Sequence, residues 1–292
     1  MPSLQTDVKV LHSSDGTSIY AEASGLPQNP HLVLLAGLTL SGCVYDDLCA
    51  DPQLLETLYI VRYDVRGHGR SGKPTTEEAY HSKRFAEDFK VVMDAFELKR
   101  PVLAAWSMGA AVATDVAAHL PPATLSGVIY LAGVPCTGEL LGALAAPELA
   151  AALPGLLSTD DVSAFQTSSA MFTDKLFAQP STVPFGVKSL YLGHSLSPKI
   201  MDLSLNRPMD VQALWKAGGD GLPLLTIQGT ADEHRMGAVK NIEEVLRPHF
   251  KTFECVWLEG RGHALHYECP KDLTRLILDF TKKFGGKDYT AE

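Results

Sequence analysis

The chain has 292 residues, enough for one large domain or two small ones, and its 46% hydrophobic and 20% charged content without low-complexity bias excludes disordered, collagen-like and coiled-coil proteins. Lys and Arg number 25 against 34 Asp and Glu, a net charge of −9, and no stretch gathers enough basic residues to neutralise a run of phosphates, so nucleic acid is not an expected partner. The five cysteines are odd in number and lack a C-x-x-C pair, the start lacks a basic-then-apolar leader, and Pro147, Glu148 and Pro154 interrupt the most apolar stretch, so a cytoplasmic protein with reduced thiols and no membrane span is expected.

In chain order, residues 7–14 and 18–22 carry β-type residues on either side of Ser14-Asp15-Gly16, which predicts a hairpin and an antiparallel edge. Short apolar runs of the kind buried on both faces follow at 31–37, 59–64, 102–106, 127–132 and 222–228. Helix-period segments lie between them, clearest at 85–98 and 108–119. Strand and helix alternate, as in a mostly parallel α/β sheet with helices on both faces. The alternation stops after Ala132, gives way over 134–215 to Ala-, Leu-, Pro- and Ser-rich helical patterning, and resumes with a strand, a helix at 237–246, a strand at 252–258 and a helix at 273–284. Because the sheet pattern continues on both sides, residues 1–133 and 216–292 are expected to form one core and 134–215 an insertion after the sixth strand.

The strongest local signal is Ala105-Trp106-Ser107-Met108-Gly109, between an apolar strand-like run and an Ala- and Val-rich helical one. A serine on a tight strand-to-helix turn exposes its Oγ, and small neighbours let the chain pass through that geometry. The plainer alternative for Ser107 is a helix N-cap. A nucleophilic serine needs a base and a carboxylate to orient it. His263 follows the last strand in Gly260-Arg261-Gly262-His263, where two glycines allow a loop to return over the sheet. His266, three residues later, is the competing base and otherwise a hydrogen-bonding or substrate-contacting residue. Asp232 stands just past the run 222–228, at the edge where open α/β sheets bind ligands. Asp202, Asp210 and Asp220 are competing acids, placed too far along the insertion or just after it. The order Ser107, Asp232, His263 is the one an α/β-hydrolase uses.

With these residues in place the chain resembles the α/β-hydrolase superfamily over about 8–284, in its serine carboxylesterase and haloperoxidase-like branch. Leu35-Ala36-Gly37-Leu38 stands where that superfamily has its oxyanion loop, and Asp64-Val65-Arg66-Gly67-His68-Gly69-Arg70-Ser71 looks like the branch's D-x-R-G-x-G-x-S turn. The resemblance implies an α/β-hydrolase fold with an antiparallel N-terminal hairpin, and a helical cap at 134–215. It also implies backbone N–H groups of Leu38 and Met108 as oxyanion donors. Ala36 replaces the common histidine of the loop and Ala105 the first glycine of the elbow. Serine at position 107 speaks against epoxide hydrolases and haloalkane dehalogenases, which place aspartate there, and Thr39 stands where perhydrolases often carry proline.

Asp64, Arg66 and His68 are expected to tie their turn together. Leu38, Trp106 and His266 are candidate substrate contacts, and His194 and His234 are within reach of a pocket or simply on the surface. No cluster has metal-ligand spacing and no phosphate loop stands at a strand-helix junction, so no metal or cofactor is expected. The implied activity is that of a serine hydrolase (EC 3.1.1) cleaving small, fairly apolar carboxylic esters or lactones through an acyl-enzyme. A C–C bond hydrolase, an acyltransferase, a cofactor-free perhydrolase and a small-ligand receptor are the alternatives on the same three residues.

Overall fold

The computed structural model describes residues 6–194, 196–235 and 242–290. β1 (Asp7–His12) and β2 (Ser18–Gly25) form the expected antiparallel hairpin. Gly16 closes it at φ +83°, a conformation that costs a residue without a Cβ little. β2 pairs antiparallel with β4 (Tyr59–Tyr63), and from there β3 (His31–Leu35), β5 (Val102–Trp106), β6 (Gly127–Leu131), β7 (Leu224–Gly229) and β8 (Phe253–Leu258) run parallel. The eight strands are ordered β1-β2-β4-β3-β5-β6-β7-β8. The chain therefore reverses its winding between β3 and β5, and loops after these two strands meet at one sheet edge.

The apolar runs read as strands because both faces of the sheet are covered. On β3, Val33 and Leu35 enter the core on one face while Leu32 and Leu34 enter the core on the other. Two short helices, α1 (Asp46–Cys49) and α2 (Pro52–Thr57), follow β3 and were not marked by periodicity, since neither spans two full turns. α3 (Ser82–Ala95) buries Phe85, Phe89 and Val92 at helical spacing. Each of these side chains contributes roughly 1.5–3 kcal/mol by leaving water. The helix begins three residues before the apolar run, in a polar first turn that periodicity does not register.

α4 (Val112–His119) packs beside α3 on the same face. Residues Ser107–Ala111 form a tighter 3₁₀ turn, so the helix expected from Met108 begins only at Val112. Between β6 and β7 stand α5 (Glu139–Leu144), α6 (Pro147–Leu156), α7 (Val162–Asp174), α8 (Phe185–Gly193), α9 (Pro198–Leu205) and α10 (Gln212–Asp220). β7 begins at Leu224 rather than at Leu222, after Pro223, which has no N–H for a ladder. The expected helix at 237–246 is seen as α11 (Ile242–Leu246), residues 237–241 lying outside the described residues. α12 (Leu265–Glu268) and α13 (Pro270–Phe284) follow β8. α13 packs Leu273, Leu276, Ile277 and Phe280 onto the face of Leu32 and Leu34, joined by α1 and α2.

A buried ion pair ties the helices after β6 to the core. Nη1 and Nη2 of Arg207 each donate to the Asp115 carboxylate at 2.8 Å, and the guanidinium lies 3.9 Å from the centre of the Phe85 ring. No described helix is long and apolar enough to cross a membrane.

Candidate active site

Ser107 follows the last residue of β5 with φ +53°, the left-handed region a non-glycine residue rarely occupies. Its neighbours show why small residues surround it. A Cβ on Gly109 would lie 2.2 Å from the Ala36 carbonyl oxygen, and one on Gly37 would lie 2.9 Å from the Ser107 Cβ. The loop after β3 thus presses directly against the turn after β5, and neither glycine tolerates a side chain. The Ser107 carbonyl accepts from Val134 N–H at 3.2 Å, fixing the turn from the other side.

Asp232 lies past the end of β7, 3% exposed, and His263 past the end of β8, 1% exposed. His263 Nδ1–H donates to Asp232 Oδ2 at 2.7 Å, and the other carboxylate oxygen accepts from His234 N–H at 2.9 Å. Close contact between the two loops makes this possible. Ala231 N–H donates to the Arg261 carbonyl at 2.9 Å, and a Cβ on Gly229 would lie only 2.1 Å from that oxygen. The histidine loop is held in turn by Glu268, whose carboxylate accepts from Gly262 N–H at 2.5 Å and from Ala178 N–H at 2.7 Å.

Ser107, His263, Leu38 and Met108 line one cavity of about 230 Å³. Its opposite wall is apolar, with Leu141, Leu149, Leu153, Leu156 and Phe172 from α5 to α7 and Met201 and Leu205 from α9. Among the described residues no Asp, Glu, Lys or Arg lines it. The arrangement brings a strained serine, a carboxylate-bound imidazole and two backbone segments to the mouth of an uncharged cavity, which suits proton transfer at a neutral carbonyl.

Of the three expected substrate contacts, Leu38 lines the cavity and the other two stand elsewhere. Trp106 and His266 are buried and do not line the cavity, because adjacent strand residues point to opposite faces and Trp106 joins the Leu32 and Leu34 side of the sheet. Trp106 Nε1–H donates to the His263 carbonyl at 2.8 Å, so it supports the histidine from behind. His266 packs its ring 4.5 Å from Trp106, and its Nε2 lies 2.8 Å from the Tyr191 hydroxyl. Burial, aided by His263, pushes its imidazole down to about 3.

His234 is the residue the sequence undervalued. It is buried, lines the cavity and stacks on the His263 ring at 4.5 Å with 9° between the planes. Its Nε2–H donates to the Phe172 carbonyl at 3.2 Å. Only its place two residues after Asp232 hinted at this. His194 is drawn away to Ser41 and Cys43, outside the cavity lining. Asp202, Asp210 and Asp220 cap or bridge their own helices, at Asn206, Gln212 and Lys216 respectively.

The glycine turn after β4 is structural, as expected. Asp64 accepts from Gly42 N–H and Arg70 N–H, both at 2.8 Å, and the buried Arg66 guanidinium is held by Asp88 at 2.6 and 2.7 Å. His68 donates from Nδ1 to the Arg66 carbonyl at 3.1 Å, and burial pushes its imidazole down to about 4.

Comparison with known proteins agrees with the fold. The esterase RhEst1 from Rhodococcus sp. ECU1013 superposes with a TM-score of 0.82 at 25% identity, covering 95% of this chain and 99% of that one. A protein of Mycobacterium tuberculosis named as an oxidoreductase, EphD, is 37% identical over 102 residues, 35% of this chain and 17% of its own length. The rhodomycin D methylesterase DauP of Streptomyces sp. strain C5 is 25% identical over 122 residues, 41% of each chain. The chain thus spans well under two thirds of either of these two relatives. The model of the alpha/beta hydrolase family matches residues 32–276, and the chain belongs to that family.

Proposed function

We propose that the protein is a serine esterase acting on small, uncharged carboxylic esters or lactones, with Ser107 as nucleophile, His263 as general base and Asp232 as the acid that orients it. The observation that carries the reading is the 2.7 Å bond between His263 and Asp232 at a cavity that Ser107 enters with φ +53°. The esterase neighbour and the methylesterase relative support it.

In this reading Ser107 Oγ attacks the carbonyl carbon as His263 Nε2 takes its proton. Asp232 holds the Nδ1–H tautomer and stabilises the imidazolium. The N–H groups of Leu38 and Met108 receive the tetrahedral oxyanion, which is where electrostatic stabilisation contributes most. His263 then passes the proton to the departing alcohol, and a water that it deprotonates releases the acyl group. Residues 134–215 act as a cap over the sheet edge, and the apolar wall they supply receives the acyl chain.

Replacing Ser107 by Ala tests the assignment with short p-nitrophenyl esters. Turnover is expected to fall about 10⁴-fold or more with the fold intact. Turnover near the wild-type rate would end the proposal.

A further inference from the structure

A second nucleophile and base stand together away from the cavity. Cys43 lies in the 3₁₀ turn Gly42–Tyr45 that follows β3, and its Sγ is 3.2 Å from His194 Nε2 at the end of α8. His194 Nδ1–H donates to the Leu190 carbonyl at 2.6 Å, which fixes the tautomer and leaves Nε2 facing the thiol. The buried Ser41 hydroxyl donates to Cys43 Sγ at 3.2 Å and lies 3.0 Å from His194 Nε2. A nucleophile, a base within hydrogen-bond reach and a third group orienting the base are the parts an activated thiol requires.

The surroundings select what reaches it. Cys43 and His194 are half-buried and open onto a pocket of about 350 Å³ that Arg70 and Lys73 also line. Arg70 is neutralised by Asp64 and Glu22, at 2.9 and 3.2 Å. Lys73 donates only to the carbonyls of Gly69 and Ser71 among its described partners, so its charge is available to an anion. Asp46 and Asp64 are the acids that face the pair.

We infer that Cys43 is a site of thiol–disulfide exchange with small disulfides that carry carboxylate groups. His194 Nε2 takes the thiol proton, and the Cys43 thiolate attacks one sulfur of the disulfide. The sulfur–sulfur bond breaks as the new mixed disulfide forms, and the departing thiolate takes the proton back from His194. The disulfide is the oxidant, so nothing further is consumed.

The other four cysteines are internal controls. Burial pushes the thiols of Cys49, Cys255 and Cys269 up to about 12, and that of Cys136 up as well. At Cys43 burial also acts upward, but the bonds from His194 and Ser41 outweigh it and hold the thiol below its ordinary value.

The reduced protein is incubated with oxidised glutathione and followed by intact mass and peptide mapping, with Cys43→Ser and His194→Gln variants alongside. A single adduct on Cys43 is expected, at least tenfold faster than on any other cysteine and about tenfold slower in His194→Gln. Lys73→Ala is expected to slow reaction with oxidised glutathione several-fold and leave reaction with neutral hydroxyethyl disulfide unchanged. Adducts spread over the cysteines, a His194→Gln rate equal to wild type, or equal Lys73→Ala effects on both disulfides would overturn the assignment. The exchange is independent of the esterase reading, since none of these residues lines the cavity at Ser107.

Discussion

The cavity has two walls built on different principles. One is made at strand ends, where Ser107 and His263, with Asp232 bonded behind the histidine, are fixed by backbone contacts: a φ of +53°, glycines packed so closely that a Cβ on Gly229 or Gly109 would lie 2.1 or 2.2 Å from a carbonyl oxygen, and loops bonded to each other. The other is made of Leu141, Leu149, Leu153, Leu156 and Phe172 on helices, and Leu141, Leu153 and Phe172 retain partial exposure. Chemistry needs atoms held within fractions of an ångström, whereas an apolar chain needs only volume and dryness. The first wall therefore leaves little freedom in residue type, and the second leaves a great deal.

That contrast is broken most severely at the joint between the walls. Arg207→Ala leaves the buried Asp115 carboxylate without its bidentate partner and is expected to destabilise the protein by about 3–5 kcal/mol in urea or thermal unfolding. A loss under 1 kcal/mol would mean that the helices between β6 and β7 do not depend on the pair.

A smaller and more selective effect is expected inside the apolar wall. Leu149→Trp fills part of the cavity, so kcat/KM for octanoyl esters should fall about 10–100-fold while acetyl esters keep theirs, each lost methylene contact being worth about 0.8 kcal/mol. Equal losses for both chain lengths would show that the substitution disturbed the strand-end wall instead.

The smallest effect concerns acid stability beneath that wall. Unfolded His266 takes up a proton near the ordinary value of 6.5, whereas the folded residue resists until about 3, so folding stability must fall as pH drops from about 6.5 towards 3. His68, held down to about 4, acts in the same direction. His266→Phe removes one of the two contributions, and the melting temperature should decline less steeply between pH 7 and pH 4. An unchanged slope would assign acid sensitivity to other groups.

The same division explains what could be read from the sequence. Ser107, Asp232 and His263 were legible because each follows a strand and stands among residues suited to backbone geometry, Gly109, Gly229 and Gly262 among them. The inner strands were legible because both faces of the sheet are buried there, which makes them continuous apolar runs. The second wall was not, since a leucine at helical spacing packs a core or lines a cavity with the same pattern. Trp106 was misjudged for want of the strand's phase, which decides the face of the sheet. His234 carried no signal beyond its place two residues after Asp232, because its stacking on His263 depends on two loops meeting in space.

The central claim is that Ser107 is the nucleophile, and stoichiometric labelling with a fluorophosphonate followed by peptide mapping tests it most directly. The account predicts one phosphonyl group per chain, on Ser107, with ester turnover lost in the same proportion and labelling slowed strongly in Asp232→Asn. Full turnover in a completely labelled protein, or a label on another residue that tracks the loss of activity, would contradict it.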